Sequence, residues 1–412
     1  MTSPKRTPIC IGRSLNHSPE NAIVIVGAKR TPIGNFQGIF KDIPTPQLGA
    51  IAIKAACEQA QINLSDIDEV LLGCVLPAGI GQAPARQAAL NAGLPNSVSC
   101  TTINKVCGSG MKAIMLAHDM LVAGSAHIII AGGMESMSNA PYLLPKARSG
   151  YRFGHQVALD HLIYDGLEDA YQKGCLMGLF AEDCAQQLNF TREAQDQFAI
   201  TSLERAKKTQ ETGGFSSEIA SVTVFSKNGE MQVDQDEGIL TAYPEKIRQL
   251  KPAFKKEGTV TAANASSISD GAAALVLMKG SEAKKNGISP LATIVGFTTH
   301  AQEPALFTTA PVSAVQKLLT ALSWTVADVD LFEINEAFAV VTMAAMQALN
   351  IPHEKVNVHG GSCVLGHPIG ASGARILVSL IYALRIRGLK RGVATLCIGG
   401  GEATALAIET VD

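Results

Sequence analysis

The stretch Leu64-Ser65-Asp66-Ile67-Asp68 decides the fold, because Val326-Ala327-Asp328-Val329-Asp330 repeats its pattern 262 positions later (328 minus 66). A second pair of stretches behaves in the same way. Ser109-Gly110 has its counterpart in Ser372-Gly373, 263 positions later (372 minus 109). Two features that share nearly the same offset predict a duplicated structural unit.

Short apolar runs that look like strands alternate with helical runs around these features. Residues 22–26 and 69–72 predict strands, and residues 47–60 predict a helix between them. The strand predicted at 127–131 ends in two glycines, and its counterpart ends at Ile398-Gly399-Gly400, 267 positions later (399 minus 132). Such alternation is typical of α/β layers with buried strands. The sequence therefore predicts two similar α/β halves whose glycine-rich turns meet.

Changes in the sequence pattern divide the chain into four parts. We predict a flexible N-terminal extension at 1–21, a first half at 22–139 plus 269–290, an inserted loop domain at 140–268 and a second half at 291–412. Within the insertion, a helical pattern is followed by a charged strand region at 222–256. An insertion near the meeting point of two halves often covers a ligand site. The extension lacks the apolar region of a secretory signal, and an organelle transit peptide is its alternative interpretation.

The composition of the 412-residue chain excludes some classes of partner. It is 47% hydrophobic and 17% charged, with a formal net charge of -2 and no basic run. Binding to nucleic acid or to an anionic membrane is therefore not expected, and no apolar run has the length needed to span a bilayer. The apolar composition and the stretch 134–139, which looks exposed, favour a homo-oligomer.

The cysteines indicate the redox environment. There are nine, an odd number, and no Cys-x-x-Cys occurs. This spacing fits neither a disulfide framework nor a zinc ribbon. We expect reduced thiols, a cytoplasmic protein and no metal site.

Cys107 is the first candidate for chemistry. It precedes Gly108-Ser109-Gly110, after which apolar residues recur with helical spacing. This pattern predicts a thiol at the entrance to a helix, where glycine allows a sharp turn and the close approach of another molecule. The helix dipole favours a thiolate there, and a thiolate attacks carbonyl carbon. A structural, buried cysteine is the alternative.

Three further motifs lie at strand ends or rigid turns. His367, in Gly366-His367-Pro368, precedes a helix predicted to start near Ala371, and a histidine fixed in this way is a candidate base. Cys397 ends a strand before three glycines, and a core thiol is its alternative interpretation. Asn335 begins Asn335-Glu336-Ala337-Phe338, and a helix cap is its alternative role.

These four motifs, in their order along the chain, resemble the Cys-Gly-Ser-Gly, Asn-Glu-Ala-Phe, Gly-His-Pro and Cys-x-Gly-Gly-Gly signatures of the thiolase family. The resemblance runs from about Ala22 to the C-terminus. It implies an α/β fold of duplicated thiolase-like halves that form a five-layered α-β-α-β-α core. The implied activity is that of the bacterial-type acetyl-CoA acetyltransferases, the reversible Claisen condensation of two acetyl-CoA to acetoacetyl-CoA and coenzyme A. Coenzyme A thioesters are then substrate and product, no cofactor is permanently bound, and the assembly is a dimer or tetramer.

The resemblance also implies a role for each residue of the site. Cys107 attacks a thioester and carries the acyl group, and His367 takes its proton. Cys397 accepts and donates the proton at the methyl carbon of a second acetyl-CoA. One oxyanion hole consists of His367 with a water molecule held by Asn335, and the other of the backbone N–H groups of Cys107 and Gly399. Such donors are commonly worth about 2.7–4 kcal/mol each.

Substrate contacts follow from the same resemblance. Ser266 matches a serine that contacts the pantetheine part of coenzyme A, and Phe254 and Phe338 match residues that line its tunnel. A turn serine and two core aromatics are the alternatives. Many biosynthetic relatives carry a His-Met pair at the tunnel, whereas this chain has Leu176 and Met177. Because leucine cannot make the hydrogen bond of that histidine, a preference for other or longer acyl chains stays open.

Two alternative functions follow. The first is a degradative 3-oxoacyl-CoA thiolase for longer chains, which shares the four motifs. The second is a non-catalytic acyl-CoA or lipid-binding protein on the same fold, although degenerate copies are expected to lose one of the motifs and none is lost here.

Overall fold

The computed structural model describes residues 20–226 and 229–411, and the extension predicted at 1–21 lies almost entirely outside these ranges. The strands are β1 (Ile23–Arg30), β2 (Gly34–Asn35), β3 (Glu69–Gly73), β4 (Ser99–Ile103), β5 (Ile128–Ser136), β6 (Tyr142–Leu143), β7 (Leu159–Asp160), β8 (Val222–Ser226), β9 (Gly229–Val233), β10 (Ser269–Lys279), β11 (Ala292–Ala301), β12 (Leu331–Ile334), β13 (Arg391–Ile398) and β14 (Glu402–Thr410). The α-helices are α1 (Thr45–Ala60), α2 (Pro84–Asn91), α3 (Ser109–Ala123), α4 (Met177–Gln187), α5 (Arg192–Glu211), α6 (Glu237–Thr241), α7 (Pro244–Ile247), α8 (Gly280–Lys285), α9 (Ala310–Leu322), α10 (Ala339–Leu349), α11 (Ser362–Leu365) and α12 (Ile369–Arg387).

In the part of the chain that is described, ten strands form one continuous sheet. Their order is β12-β13-β14-β11-β1-β10-β5-β3-β4, and β2 pairs with β10. The sheet has two halves that meet at β1 and β11, where Val24 pairs with Thr293 and Ile25 with Ala292. β3 runs parallel to β4 and β5, and β12 runs parallel to β13, whereas the strands between them are antiparallel. Each half therefore places parallel strands at its outer side.

Alternate residues of each strand face different helix layers. In β10, residues 273, 275 and 277 belong to the core shared with α3 and α12, and residues 272, 274, 276 and 278 belong to the core shared with α1 and α2. In β14, Leu406 and Ile408 face the middle layer, while the alanines at 403, 405 and 407 face α9. The layers are thus α1 and α2, the first half-sheet, α3 and α12, the second half-sheet, then α9 and α10. This arrangement confirms the predicted five-layered α/β core.

The repeated stretch performs the same task in both halves. Asp68 Oδ2 accepts hydrogen bonds from the backbone N–H groups of His127 and Ile128 at 2.7 and 3.0 Å, at the start of β5. Asp330 Oδ2 accepts from the backbone N–H groups at 390 and 391, at 3.0 and 2.7 Å, at the start of β13. Each aspartate therefore holds the beginning of a central strand, which agrees with a duplicated unit.

The second repeated pair lies where α3 and α12 cross in the middle layer. A Cβ atom on Gly110 would lie 2.9 Å from the backbone N of Ala374, and one on Gly373 would lie 2.5 Å from the backbone N of Met111. Because no side chain fits at either position, glycine allows the two helices to approach closely.

The segment 140–268 contains the hairpins β6–β7 and β8–β9, a one-turn π-helix at Leu162–Leu167, and helices α4 to α7. It is attached to β1 by buried ion pairs from Arg30 to Glu218 (2.6 Å) and to Asp236 (2.7 Å). The strand region expected over 222–256 is wrong beyond Val233, because α6 and α7 follow the hairpin. After the segment, β10 returns to the first half-sheet, and the proposed domain boundaries stay a prediction.

The exposure expected for the stretch 134–139 is wrong for residues 134–137, which are buried, whereas Ser138 is half-buried and Asn139 is exposed. Met134 and Glu135 are fully buried at the end of β5, and Met137 is 2% exposed. The reason is that Met134 packs into the apolar core shared with α1 and α2, and Met137 packs into a smaller apolar cluster at the first residue of α12. The exposure of this stretch therefore no longer favours a homo-oligomer, and the apolar composition is the argument from the sequence that is left.

Within residues 20–226 and 229–411, three helical segments are long and apolar enough to cross a membrane by length and composition, namely Val106–Ala123, Pro304–Leu322 and Ile369–Arg387. The expectation that no apolar run has this length is therefore wrong. The apolar surface of α12 packs against the rest of the protein, since 89% of the apolar stretch in Ile369–Arg387 is buried.

Candidate active site

A cavity of about 390 Å³ opens where the glycine-rich turns of the two halves meet. Cys107 reaches it from the loop before α3, and His367 from the loop before α12. Cys397 and Gly399 reach it from the end of β13. The structure therefore brings together, on one cavity wall, residues that are up to 292 positions apart in the sequence (399 minus 107).

The loop before α3 holds Cys107 in a constrained position. The preceding residue, Val106, has a φ of 46°, which is rare and strained for a β-branched residue. Asn104 Oδ1 accepts a hydrogen bond from Val106 N at 3.0 Å, and Ser109 Oγ accepts one from Lys105 N at 2.8 Å. These side chains keep the loop in its strained conformation and the thiol at the cavity.

Cys107 is a neutral thiol in the resting protein. Burial raises the pKa of the Cys107 thiol to about 11, although the backbone N–H groups of Gly399 and Cys107 act in the opposite direction. The expectation that the helix entrance favours a thiolate is therefore wrong, because desolvation outweighs the dipole. The two opposing N–H groups are those expected to form an oxyanion hole. A thiol in this state needs a base.

His367 has the protonation state that a base requires. Its Nδ1 lies 2.6 Å from Ser372 Oγ, while its buried Nε2 makes no hydrogen bond to any described residue. Burial, together with the charge of Arg375, lowers the pKa of His367 to about 3. The imidazole is thus neutral and able to accept a proton.

Asn335 lies behind His367 and is not part of the cavity wall. Its Nδ2 is 3.5 Å from His367 Nδ1. Its Oδ1 accepts hydrogen bonds from Ser362 Oγ at 2.6 Å and from Arg375 Nη2 at 3.3 Å. Because Phe338 is the N-cap of α10, the alternative role of Asn335 as a helix cap is wrong.

Sequence reasoning missed Arg375, which is 1% exposed and forms a 3.1 Å ion pair with Glu333. Burial raises the pKa of the Glu333 carboxyl to about 8, with Arg375 acting in the opposite direction. The sequence contained a sign of this buried ion pair, since Arg375 is the one charged residue between positions 369 and 384. A lone charge in an apolar helix predicts a buried partner.

Cys397 shares the cavity with Cys107. It is 1% exposed, and burial raises its pKa, with the nearby Cys107 as a second cause in the same direction. Each thiol therefore disfavours ionisation of the other. Only one of the two is expected to carry negative charge at a time.

The five predicted substrate residues all lie on the cavity wall. Leu176 is the N-cap of α4 and Met177 its first residue. The rings of Phe254 and Phe338 meet edge to face with centroids 6.1 Å apart. Ser266 Oγ donates to a backbone carbonyl oxygen at 3.0 Å. Their contacts with coenzyme A stay predictions.

Glu135 is a second buried group that sequence reasoning missed. Its carboxylate accepts hydrogen bonds from the backbone N–H groups of Val75, Leu76 and Gly370 at 2.9, 3.1 and 2.9 Å. Burial raises the pKa of this carboxyl to about 7. Glu135 therefore joins the loop after β3 to the first turn of α12. A Cβ atom on Gly370 would lie 2.6 Å from its Oε2.

Comparison with known proteins finds a matching protein family for each half of the chain. The family model for the thiolase N-terminal domain matches residues 23–281, and that for the thiolase C-terminal domain matches residues 288–410. Acetyl-CoA acetyltransferase 2 of Arabidopsis thaliana is 50% identical over 390 residues, which cover 94% of this chain and 96% of that protein. Acetyl-CoA acetyltransferase of Cupriavidus necator is 48% identical over 389 residues, covering 94% and 99% of the two chains.

A solved structure has the same architecture. The crystal structure of the Bacillus anthracis acetyl-CoA acetyltransferase has a TM-score of 0.92 to this chain at 41% sequence identity, and the match covers 95% of this chain and 99% of that chain. The similarity thus includes both halves and the segment inserted between them.

Proposed function

The chain belongs to the thiolase family, and from this membership and the cavity at Cys107 we propose that it is a coenzyme A-dependent acetyl-CoA C-acetyltransferase. The reaction is the reversible condensation of two acetyl-CoA to acetoacetyl-CoA and coenzyme A. The observation that carries the proposal is the meeting of Cys107, His367 and Cys397 in a single cavity. Two relatives named acetyl-CoA acetyltransferase, at 50% and 48% identity, support it.

The first half-reaction transfers an acetyl group to Cys107. His367 Nε2 takes the thiol proton as Cys107 Sγ attacks the thioester carbonyl, and the carbonyl oxygen becomes negatively charged. The backbone N–H groups of Cys107 and Gly399, which act on the Cys107 sulfur in the resting site, are the proposed donors that stabilise this charge. When the carbon–sulfur bond of acetyl-CoA breaks, the Cys397 thiol gives its proton to the leaving coenzyme A. Cys397 is then a thiolate.

The second half-reaction forms the new carbon–carbon bond. The Cys397 thiolate removes a proton from the methyl carbon of a second acetyl-CoA. The resulting enolate, stabilised by His367 and by a water molecule held by Asn335, attacks the acetyl group on Cys107. Cys107 leaves as a thiolate and recovers its proton from His367, so every group returns to its resting state. Covalent catalysis of this kind divides one difficult step into two easier ones.

Turnover of acetoacetyl-CoA with coenzyme A tests the activity. We expect loss of the 3-oxoacyl thioester with formation of two acetyl-CoA for each acetoacetyl-CoA consumed. No turnover at saturating coenzyme A contradicts the proposal, and tight substrate binding without turnover favours the non-catalytic binding protein.

Two cysteine variants test the division of roles. Cys107→Ala should abolish formation of the acyl-enzyme, measured by intact-protein mass spectrometry with acetyl-CoA. Cys397→Ala should still form the acyl-enzyme, although more slowly because the leaving coenzyme A loses its proton donor, and it should block condensation. Cys184→Ala is the matched control, because Cys184 is buried in the same apolar cluster as Cys397 but is not on the cavity wall. Equal loss of acylation in the two active-site variants contradicts the assignment.

The apolar wall around Leu176 favours a second candidate, a thiolase that also cleaves longer 3-oxoacyl chains. Leu176 and Phe254 present no hydrogen-bonding group to the thioester. A series of 3-oxoacyl-CoA substrates of increasing chain length separates the two candidates by kcat/KM. We expect the highest value for acetoacetyl-CoA, and a maximum at a longer chain makes the degradative assignment the better one. Leu176→His, which adds a hydrogen-bond donor, should raise the preference for the shortest substrate.

We further propose that the enzyme works in the cytoplasm as a homo-oligomer, a dimer or a tetramer, with no permanently bound cofactor. The apolar composition and the family membership support assembly. Light scattering of the purified protein measures the mass directly, and a monomer at micromolar concentration contradicts assembly. Activity that survives prolonged dialysis against a chelator agrees with the absence of a required metal.

A further inference from the structure

Ser372 is placed to decide which nitrogen of His367 carries the proton. His367 Nδ1 lies 2.6 Å from Ser372 Oγ, and Ser372 Oγ in turn donates to the backbone carbonyl of Pro368 at 2.9 Å. A hydroxyl group has one hydrogen, and here the carbonyl uses it. With its hydrogen on the carbonyl, Ser372 offers a lone pair to the imidazole, which favours the tautomer with the proton on Nδ1.

The neighbouring amide does not offer an alternative acceptor. Asn335 Oδ1 faces two donors, Arg375 Nη2 at 3.3 Å and Ser362 Oγ at 2.6 Å. If the amide were turned round, its NH₂ group would face the guanidinium, which can only donate. The NH₂ group therefore stays on the side of His367, 3.5 Å from Nδ1. When Nδ1 carries the proton, two donors face each other at this distance, so the NH₂ group makes no hydrogen bond to Nδ1.

The other tautomer of His367 is less well accommodated. With the proton on Nε2, the Nδ1 lone pair would have two candidate donors, Ser372 Oγ and Asn335 Nδ2. The serine would have to give up its bond to Pro368. The buried Nε2–H would find no acceptor among the described residues, and orphaned buried N–H groups are rare in folded proteins.

We propose that Ser372 is a positioning residue that holds His367 with its proton on Nδ1 and a bare Nε2 available to the Cys107 thiol. The inference rests on the proposed function, in which His367 is the base for Cys107. In the acylation step, one proton moves from Cys107 Sγ to His367 Nε2. The Nδ1–H bond stays directed at Ser372 Oγ, which also stabilises the imidazolium until Nε2 returns its proton.

The tautomer can be observed without any catalytic activity. Nitrogen-15 NMR of the histidine side chains, with His367→Asn used to assign the signals, distinguishes a protonated from a bare ring nitrogen. In the resting wild-type protein we expect a protonated Nδ1 and a bare Nε2. In Ser372→Ala we expect part or all of the population to shift to the Nε2–H form. A wild-type His367 with its proton on Nε2 overturns the proposal, as does an unchanged spectrum in Ser372→Ala.

Kinetics provide the second readout, and Ser379→Ala is the matched control. Ser379 lies seven positions (379 minus 372), about two turns, further along the same helix and is buried to a similar degree, but its hydroxyl contacts Glu218 at 3.3 Å instead of His367. We expect Ser372→Ala to lower the rate of Cys107 acylation by about 10-fold or more with KM unchanged, since a base in the wrong tautomer cannot take the proton. Equal losses in the two variants, no loss in Ser372→Ala, or a change in KM alone overturn the proposal.

The two experiments separate failure of the inference from failure of the proposed function. If wild-type protein shows the predicted tautomer but no turnover of acetoacetyl-CoA, the proposed function is wrong and the positioning of His367 stands. If turnover is present but the tautomer is the opposite one, the activity stands and Ser372 does not have this role.

Discussion

At Cys107, desolvation and hydrogen bonding act in opposite directions, and desolvation is the larger effect. The same physical cause raises the pKa of the Cys107 thiol and lowers that of the His367 imidazole, because burial disfavours the charged form of an acid and of a base alike. The resting site is thus a neutral thiol–imidazole pair. It differs from the thiolate–imidazolium pair of cysteine proteases, in which the thiol pKa is strongly depressed.

Alkylation of Cys107 by iodoacetamide should reveal this difference. Because the pKa of the thiol is raised to about 11, the thiolate fraction grows with pH throughout the neutral and alkaline range. We therefore expect the alkylation rate of Cys107, followed by peptide mass spectrometry, to rise steadily from about pH 7 to about pH 10. Glutathione in the same buffers provides the reference for an unperturbed thiol. A plateau in the rate at neutral pH indicates an ion pair and contradicts the neutral state.

Among the elements, α12 organises the site. Successive positions of this helix contact four different parts of the protein. Gly370 N donates to Glu135, Ser372 contacts His367, Gly373 packs against α3 and Arg375 contacts Asn335. The helix is almost wholly buried from Ile369 to Leu384, so its position is fixed on every side. A small displacement of α12 therefore changes several active-site contacts at once.

The substitution Gly373→Ala tests the close approach of α3 and α12. In an exposed helix, alanine is about 1 kcal/mol more favourable than glycine. Here the added Cβ would lie 2.5 Å from the backbone N of Met111, so the helices would have to separate. We expect the free energy of unfolding in urea to fall by about 1–3 kcal/mol, together with the acylation rate of Cys107.

Gly388→Ala is the control on the same helix. Gly388 ends α12 with a φ of 61°, and a Cβ atom at this position would meet no described atom within 4 Å beyond its chain neighbours. Its substitution should cost about 1–2 kcal/mol through the left-handed backbone conformation alone and leave acylation unchanged. A Gly373→Ala protein as stable as the wild type shows that the crossing tolerates a methyl group.

At the scale of the whole molecule, the cavity is assembled from three parts of the chain. The first half contributes Cys107, the second half contributes His367 and Cys397, and the inserted segment contributes Leu176 and Phe254. The inserted segment is held to the first half by Arg30, which is fully buried and paired with Glu218 and Asp236. This ion-pair group therefore connects the fold of the insertion to the geometry of the site.

Asp236→Ala should destabilise the molecule strongly. Asp236 accepts two hydrogen bonds from Arg30, at 2.7 and 2.9 Å, and one from Ile33 N at 2.8 Å. Removing this carboxylate leaves the buried Arg30 guanidinium with one of its two acidic partners. Such a loss typically lowers the free energy of unfolding by about 3–5 kcal/mol. Urea unfolding measures the loss. Glu58→Ala is the control, because Glu58 pairs with Lys54 on the surface at 3.9 Å, where such pairs contribute roughly 0.3–0.5 kcal/mol. Similar losses in the two variants contradict the structural role of Asp236.

The sequence by itself determined the features that local pattern encodes. The repeated Asp68 and Asp330 stretches predicted the duplication, because each starts a strand in its own half in the same way. Cys107, His367 and Cys397 could be selected because glycine-rich turns restrict the backbone at those points, and the structure brings them to one cavity. Local pattern was insufficient for residues 234–256, where short helices depend on packing against α5 and α11.

Only the tertiary structure decided the charge states and the hydrogen-bond directions. The desolvation of Cys107 and the burial of residues 134–137 result from strands and helices that are distant in the chain, so the sequence suggested a thiolate and an exposed segment where the fold has neither. The role of Arg375 beside Asn335 likewise depends on a contact across 40 positions. Desolvation and hydrogen bonding are properties of the surroundings of a group, and these surroundings exist only after the halves have packed together.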